Sequence, residues 1–199
     1  GAYQFDIYPQ DETAINVTVS VFPRVPVKRL GMAPLTSMYL MGENDRHMND
    51  RNKYDDFRPE LHDSDGLMIH TESGGWLWRP LKNPLIQEVQ RFRVAGLKGF
   101  GLMQRDRQWS NYEDIEARYE RRPSAWVRPL HDWGPGRVAR PACAGMGRVA
   151  AWAGTAGGAL AEPAPAAVEA AARGTPARRH RLAHPCGNPA APILRTQRG

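Results

Sequence analysis

Strict alternation of apolar and polar residues constrains the start of this chain to β-structure. Every second residue from Tyr3 to Ile7 is apolar, and the same period returns from Ile15 to Val21. A polar, turn-forming segment at residues 9–12 separates the two runs. Because successive side chains of a strand point to opposite faces, this pattern predicts a β-hairpin with one buried face.

Short runs of β-forming residues continue beyond the hairpin, separated by glycine, asparagine or proline. Prolines at positions 23, 26 and 34 argue for loop or edge structure before the third run. Further strands are expected at 35–41, 66–70, 76–78, 88–94, 100–104 and from 126 onward. Many short strands with frequent turns are typical of an all-β sandwich.

One short helix is expected near residues 111–121. Ser110 and Glu113 have the spacing of a capping box, and Tyr112, Ile115 and Tyr119 would share one face of a helix. The sequence therefore predicts a single helical element in an otherwise β-rich chain.

Charge is distributed unevenly along the chain. Residues 1–136 contain 18 basic and 19 acidic side chains, whereas residues 137–199 contain nine arginines and two glutamates. The net charge of +6 therefore comes from the tail. A basic protein often binds nucleic acid, but a neutral body and a tail without aromatic interleaving argue against a nucleic-acid partner.

The tail from residue 137 has a composition of its own, dominated by alanine, glycine, proline and arginine. Two interpretations remain open, a natural disordered extension and an out-of-frame translation of a GC-rich gene, and the abrupt switch favours the second. We therefore expect residues 1–136 to be part of one β-domain and residues 137–199 to be an irregular tail.

Neither a metal nor another cofactor is expected. Both cysteines, Cys143 and Cys186, lie in the tail without metal-binding spacing. No apolar run approaches the ~20 residues that cross a bilayer, so no membrane span is expected. The chain opens on a strand pattern without a signal peptide, which suggests that Gly1 is an internal position of a longer protein.

Carboxylates, arginines, amides and tryptophans recur together between residues 42 and 127. Aromatic faces pack on the apolar faces of sugar rings, and polar groups hold the hydroxyls. The pattern therefore favours a groove for a neutral, hydroxyl-rich ligand such as a sugar chain. The segments that carry it are 42–46, 57–66, 76–81, 99–107 and 121–127.

These motifs resemble the osmoregulated periplasmic glucan biosynthesis proteins of types G and D, the MdoG family. The resemblance covers about residues 1–136, and its segments occur in the family's order with similar spacing. They are 31–38, 42–46, 58–66, 76–84, 99–107 and 119–133. The His-Asp-Ser-Asp motif at 62–65 is nearer type D, whereas the 42–45 loop favours neither type.

The resemblance implies a fold, a cellular location and a role. The fold would be a fragment of a large galactose-mutarotase-like β-sandwich, and the location would be the periplasm. The role would be making or processing osmoregulated β-1,2-linked glucan, so the expected partner is a β-glucan oligo- or polysaccharide. Components of the glucan-synthesis machinery are further candidate partners.

Some family members resemble inverting β-1,2-glucanases, and this implies a catalytic role for one aspartate. Asp63, the first aspartate of the 62–65 motif, would be the base that activates water. Asp65 would face the same side of an extended segment and raise a pKa by its like charge, which Arg58 or Arg79 would oppose. The family's general acid lies in an acidic loop that this chain lacks, so the chain as written is predicted not to hydrolyse glucan.

Each candidate residue also has a purely structural alternative. Asp63 and Asp65 could cap a turn through side-chain hydrogen bonds. Trp76 and Trp78 are by default a core pair, with a sugar platform as the alternative for Trp78.

The remaining candidates divide in the same way. Arg79, Arg105 and Arg122 are ligand contacts or structural ion-pair partners. Tyr119 is expected to contact ligand because the family motif retains it, whereas His62 is expected to be a hydrogen-bonded core histidine.

Two functions from different classes remain open at this point. In the first, the parent protein cleaves β-1,2-glucan, with Asp63 as base. In the second, the parent binds nascent glucan and organises its synthesis or branching without cutting it. An acid in the missing loop would favour the enzyme.

Overall fold

The computed structural model describes residues 1–27, 30–44, 56–142, 148–155 and 165–173, the last two ranges by their backbone. Asp45 and Arg46 of the 42–46 motif, both cysteines and the rest of the tail lie outside these ranges. The described residues form twelve strands: β1 Ala2–Tyr8, β2 Glu12–Ser20, β3 Gly31–Met41, β4 Leu61–His62, β5 Gly66–Thr71, β6 Trp76–Pro80, β7 Glu88–Val94, β8 Leu97–Met103, β9 Ser124–Pro129, β10 Gly136–Ala142, β11 Arg148–Thr155 and β12 Pro165–Arg173.

These strands form two antiparallel sheets, which confirms the all-β prediction. The larger sheet has the order β1-β2-β12-β9-β8-β5-β6, and the smaller has the order β4-β3-β11-β10-β7. The core lies between them, since buried Leu67 and Phe100 of the first sheet pack in one cluster with Tyr39 and Val138 of the second. The alternation read from the sequence therefore sets which face of each strand is buried.

The predicted hairpin is present, with Phe5 opposite Val17 in the β1–β2 register. Its apolar residues are unequally buried. Val17 packs against the core cluster, whereas Phe5 and Ile7 of β1 are 58% and 61% exposed. Thus β1 is an edge strand with an uncovered apolar face.

Pro34 lies inside β3, although the prolines were expected to mark loop or edge structure. Ala33, just before it, has a φ of 49°, and the β11–β3 register shifts at this point. A bulge accommodates the proline because it leaves a position without a ladder hydrogen bond.

The segment expected to form one helix contains instead two single 3₁₀ turns, Trp109–Asn111 and Tyr119–Arg121. Glu113 and Arg118 have left-handed φ values of 50° and 49°, which interrupt a helix. The Asp114 carboxylate accepts hydrogen bonds from the backbone N–H groups of Glu116 and Ala117, which stabilises a turn. No helix within the described residues is long and apolar enough to cross a membrane.

Strands also occur in the segment for which an irregular tail was expected. β10 pairs with β7, β11 lies between β3 and β10, and β12 lies between β2 and β9. The composition boundary at residue 137 therefore falls inside β10. The origin of the tail stays a prediction.

Candidate functional site

A two-residue strand and a sharp turn position the candidate aspartates. β4 ends at His62, and Asp63, buried Ser64 and Asp65 connect it to β5. The Asp63 N–H donates to the Met38 carbonyl at 2.8 Å, and the Met38 N–H donates to Asp63 Oδ2 at 3.2 Å. Asp63 is therefore attached to β3 through both its backbone and its side chain.

The second oxygen of Asp63 faces an arginine. Arg122 Nε lies 3.5 Å from Asp63 Oδ1, and the two side chains are 29% and 31% exposed. The Arg122 guanidinium also lies over the Tyr119 ring, 5.5 Å from its centroid. The result is an oriented, partly open carboxylate–guanidinium pair beside an aromatic ring.

Tyr119 lies at the centre of this group. Burial raises the pKa of its hydroxyl, the nearby carboxylates of Asp63 and Asp114 raise it further, and Arg58 and Arg122 oppose them. The phenol therefore stays protonated at neutral pH. Three predicted site residues, Asp63, Tyr119 and Arg122, thus meet in one place, which we call the Asp63 cluster, and the charge of Arg58 acts on Tyr119 from nearby.

Arg58 connects the segment before β4 to the 105–122 loop. Its guanidinium contacts Asp56 at 2.6 Å and Asp114 at 2.5 Å. The hydrogen bond from Arg58 lowers the pKa of Asp56. Burial opposes ionisation of Asp114, but hydrogen bonds from the Ala117 N–H and Arg58 outweigh it and lower that pKa as well. These contacts give Arg58 a structural role.

Asp65 points to a different element from Asp63. Its carboxylate accepts the backbone N–H of Arg105 and, at 3.2 Å, the N–H of Asp106. Its own N–H donates to the Met103 carbonyl at 2.8 Å. Asp65 thus connects the end of β8 to the start of β5 through long-range hydrogen bonds, rather than through the local turn cap that was its structural alternative.

The remaining predicted residues lie beside the Asp63 cluster or away from it. The Arg105 guanidinium lies over the Trp78 indole at 5.2 Å, so these two border Asp65. Arg79 instead lies over Phe92 of β7, 5.5 Å from the ring centroid, and donates to the Trp78 carbonyl. The structure therefore separates Arg79 from the candidate aspartates.

Trp76 can be compared with its predicted core position, whereas ligand contact by Trp78 stays a prediction. Trp76 is 62% exposed and stacks on His70, so its default assignment to a core pair is wrong. It belongs to β6, which is at the edge of the larger sheet, and its ring lies on the solvent face. Trp78 is half-buried beneath Arg105.

His62 is the hydrogen-bonded core histidine that was expected. Its Nε2 lies 2.8 Å from Glu60 Oε2, and its ring stacks on Tyr39. Ligand atoms of Glu60, His62 and Asp65 lie within 4.8 Å of one another, a spacing that could hold a metal ion. Glu60 already contacts His62 and Asp65 already accepts backbone N–H groups, so neither carboxylate needs an ion to be satisfied.

Sequence reasoning missed Gln104, which holds the loop residues Tyr112 and Tyr119 in place by hydrogen bonds. It is buried, and its Nε2 donates to the Tyr112 hydroxyl and to the Tyr119 carbonyl, both at 2.9 Å. The signal was available, since Gln104 continues the inward alternation of Phe100 and Leu102 and a polar residue there needs a buried partner.

Comparison with known proteins gives one family. The model described as "Periplasmic glucan biosynthesis protein, MdoG" matches residues 1–140. The chain is 52% identical over 146 residues to "Glucans biosynthesis protein D 1" of Ralstonia nicotianae, covering 69% of this chain and 27% of that protein. It is 51% identical over 138 residues to "Glucans biosynthesis protein G" of Pseudomonas aeruginosa, covering 69% and 25%.

A third relative agrees with these two. "Glucans biosynthesis protein G 1" of Shewanella oneidensis is 49% identical over 138 residues, covering 69% of this chain and 24% of that protein. The chain thus spans about a quarter of the length of the curated relatives it matches. It is almost equally similar to relatives of types D and G.

Proposed function

Because the chain belongs to the MdoG family of periplasmic glucan biosynthesis proteins, we propose that its parent protein holds a glucan chain in a groove beside Asp63. The observation that supports this most is the meeting of Asp63, Tyr119 and Arg122 in one partly open cluster. Periplasmic glucan biosynthesis is the role shared by the family, and β-1,2-linked glucan is the proposed ligand.

The chemistry of the Asp63 cluster suits a neutral polyol. The Asp63 carboxylate can accept hydrogen bonds from sugar hydroxyls, and the Arg122 guanidinium can donate to them. The pair is charge-balanced, so it gives no net preference for a charged ligand. Because Met38 and Tyr119 already orient the two side chains, little side-chain entropy is lost on binding.

Asp63 is also the proposed base if the parent cleaves glucan as an inverting enzyme. A partly exposed carboxylate can take a proton from water, directly or through a sugar hydroxyl, while a second carboxyl protonates the leaving oxygen. Asp65 is a poor candidate for that second group because backbone N–H groups of the 105–106 segment occupy it. We therefore propose that this chain binds glucan and does not cleave it.

The alternative parent function, binding and organising nascent glucan without cutting it, rests on the same cluster. It needs only the hydrogen-bonding groups of Asp63 and Arg122, which lie 3.5 Å apart. The two functions predict the same binding by this chain and differ only in what the whole parent does to the polymer.

Calorimetric titration of the purified chain with linear β-1,2-glucan, followed by analysis of reducing ends, tests the proposal. We expect binding without cleavage, and about tenfold weaker binding by Asp63→Asn, which keeps the shape but removes the charge. Asp11→Asn, an exposed change in the hairpin turn, is the control and should bind normally. Absence of binding by the folded wild-type chain, or sustained release of reducing ends, would contradict the proposal.

A further inference from the structure

The outer face of the larger sheet carries an aromatic surface remote from the Asp63 cluster. His70 of β5 stacks on Trp76 of β6 with ring centroids 4.1 Å apart and an interplanar angle of 1°. Trp126 of β9 lies 5.6 Å from Trp76, tilted by 37°. These three rings, which we call the Trp76 platform, share one face because their neighbours Ile69 and Val127 point into the core.

Glycines on β8 make room for this platform. A Cβ at Gly99 would overlap the Trp126 indole, and a Cβ at Gly101 would overlap both the Trp126 indole and the Ala125 carbonyl. The indole therefore lies flat on the strand between its neighbours, which fixes its ring plane. A tryptophan held in this way needs no further ordering to take part in stacking.

A surface cavity that is open to solvent adjoins the platform at the same end of the sheet. Its volume is about 480 Å³, and His70 lines it as well as stacking on Trp76. The other side chains that matter are two cations and two anions, so the lining is close to neutral overall. They are Lys98, Arg128, Glu72 and Asp132, accompanied by His131.

Stacked aromatic rings beside a charge-balanced polar cavity match a neutral, hydroxylated ligand better than an anion or an apolar peptide. Glu72 and Asp132 offset the attraction of Lys98 and Arg128 for an anion, and an apolar peptide would cover four charged side chains. A sugar ring can place its apolar face on Trp76 and its hydroxyls on the cavity side chains.

We propose that the Trp76 platform and the adjoining cavity form a second glucan-binding site, separate from the Asp63 cluster. Asp63 lies before β5, whereas His70 lies near the end of that strand. The five residues of extended chain from Asp65 to His70 alone span roughly 16 Å. The identity of the ligand as glucan rests on the proposed function, whereas the site itself rests on the rings and the cavity.

The test is a titration of the whole chain and its variants with linear β-1,2-glucan, with melting curves to confirm that each variant folds. Trp76→Ala should weaken binding about tenfold, since it removes one stacking ring. Trp76→Phe should recover part of the affinity, because a smaller ring still stacks. Phe22→Ala is the control, since Phe22 is an equally exposed aromatic residue outside both sites.

The outcomes separate this inference from the proposed function. If Asp63→Asn weakens binding but Trp76→Ala does not, the second site is refuted and the groove stands. If Trp76→Ala alone weakens binding, the second site stands and the groove beside Asp63 is refuted. If Trp76→Ala instead converts a dimer to a monomer in sedimentation, with unchanged glucan affinity, the platform is a self-association surface and the inference fails.

Discussion

Arg122 lies between the Asp63 carboxylate and the Tyr119 ring, and its Nε–H donates to the Ala117 carbonyl at 3.2 Å. Its Nε lies 3.5 Å from Asp63 Oδ1, and its guanidinium carbon lies 5.5 Å from the Tyr119 ring centroid. A planar cation fixed on both sides can donate hydrogen bonds in one defined direction. This relationship is what orients the candidate groove.

Replacing Arg122 should therefore weaken glucan binding more than its charge alone explains. We expect Arg122→Ala to lower the affinity about tenfold, and Arg122→Lys to restore only part, because lysine keeps the charge and loses the planar stack. Arg121→Ala is the matched control, since Arg121 is exposed and pairs only with Glu120 among the described ion pairs. Equal affinities for the two alanine variants in calorimetry would show that Arg122 does not contact the ligand.

The Arg58–Asp114 contact should stabilise the loop that carries Tyr119. Asp114→Ala removes that charge-assisted hydrogen bond and the two backbone hydrogen bonds of the turn. We expect a loss of about 2 kcal/mol in the free energy of unfolding, measured by urea denaturation. Glu116→Ala, an exposed acidic residue in the same turn, should change it by less than about 0.5 kcal/mol. Equal losses of unfolding free energy in the two variants would show that Asp114 stabilises the fold no more than Glu116 does.

Acid should lower the free energy of unfolding, because the pKa values of Asp56 and Asp114 are lowered in the folded chain. A carboxyl with a lower pKa in the folded than in the unfolded chain stabilises the fold above its ordinary pKa of 3.8. That stabilisation is lost as the pH falls below 3.8 through the lowered value. Urea midpoints measured from pH 6 to pH 2.5 should therefore fall more steeply for the wild type than for Asp114→Ala. Parallel curves would contradict the assignment.

The strands were predictable because their signal is local. Leu67 and Ile69 alternate with half-buried neighbours, and the structure buries these two as the period requires. The helix near 111–121 failed for a non-local reason. Asp114 binds Arg58, which is far away in sequence, and the left-handed Arg118 follows, so tertiary contacts override a capping-box spacing.

The site was only partly predictable, since residue types do not reveal which side chains meet. Asp63 and Arg122 come together because β4 pairs with β3 and the 105–122 loop packs over both strands. Neither the strand pairing nor the loop position can be predicted from a short sequence motif. Trp76 looked like core because it alternates with Trp78, but strand order places β6 at the sheet edge. Register with His70 then gives it a stacking partner on the outer face.

The close fit of Trp126 on β8 should make Gly101 intolerant of a side chain. Gly101→Ala would push a methyl group against the Ala125 carbonyl and the Trp126 ring, and the backbone atom cannot move aside cheaply. We expect a loss of about 2 kcal/mol in unfolding free energy by urea denaturation. Gly75→Ala is the control, because its nearest neighbour is the Thr71 hydroxyl at 3.2 Å, on an exposed turn. Similar stabilities of both variants would show that Trp126 does not pack on β8 in this way.

The apolar face of β1 should make this chain poorly soluble. Phe5 and Ile7 are largely exposed on an edge strand, which is a template for pairing with a second chain. The double variant Phe5→Thr/Ile7→Thr keeps β-forming residues while removing apolar surface, so we expect less aggregation in light scattering and an unchanged melting temperature. Val17→Thr, the cross-strand neighbour of Phe5 that packs on the core, should instead lower the melting temperature. If the double variant aggregates as the wild type does, association proceeds through another surface.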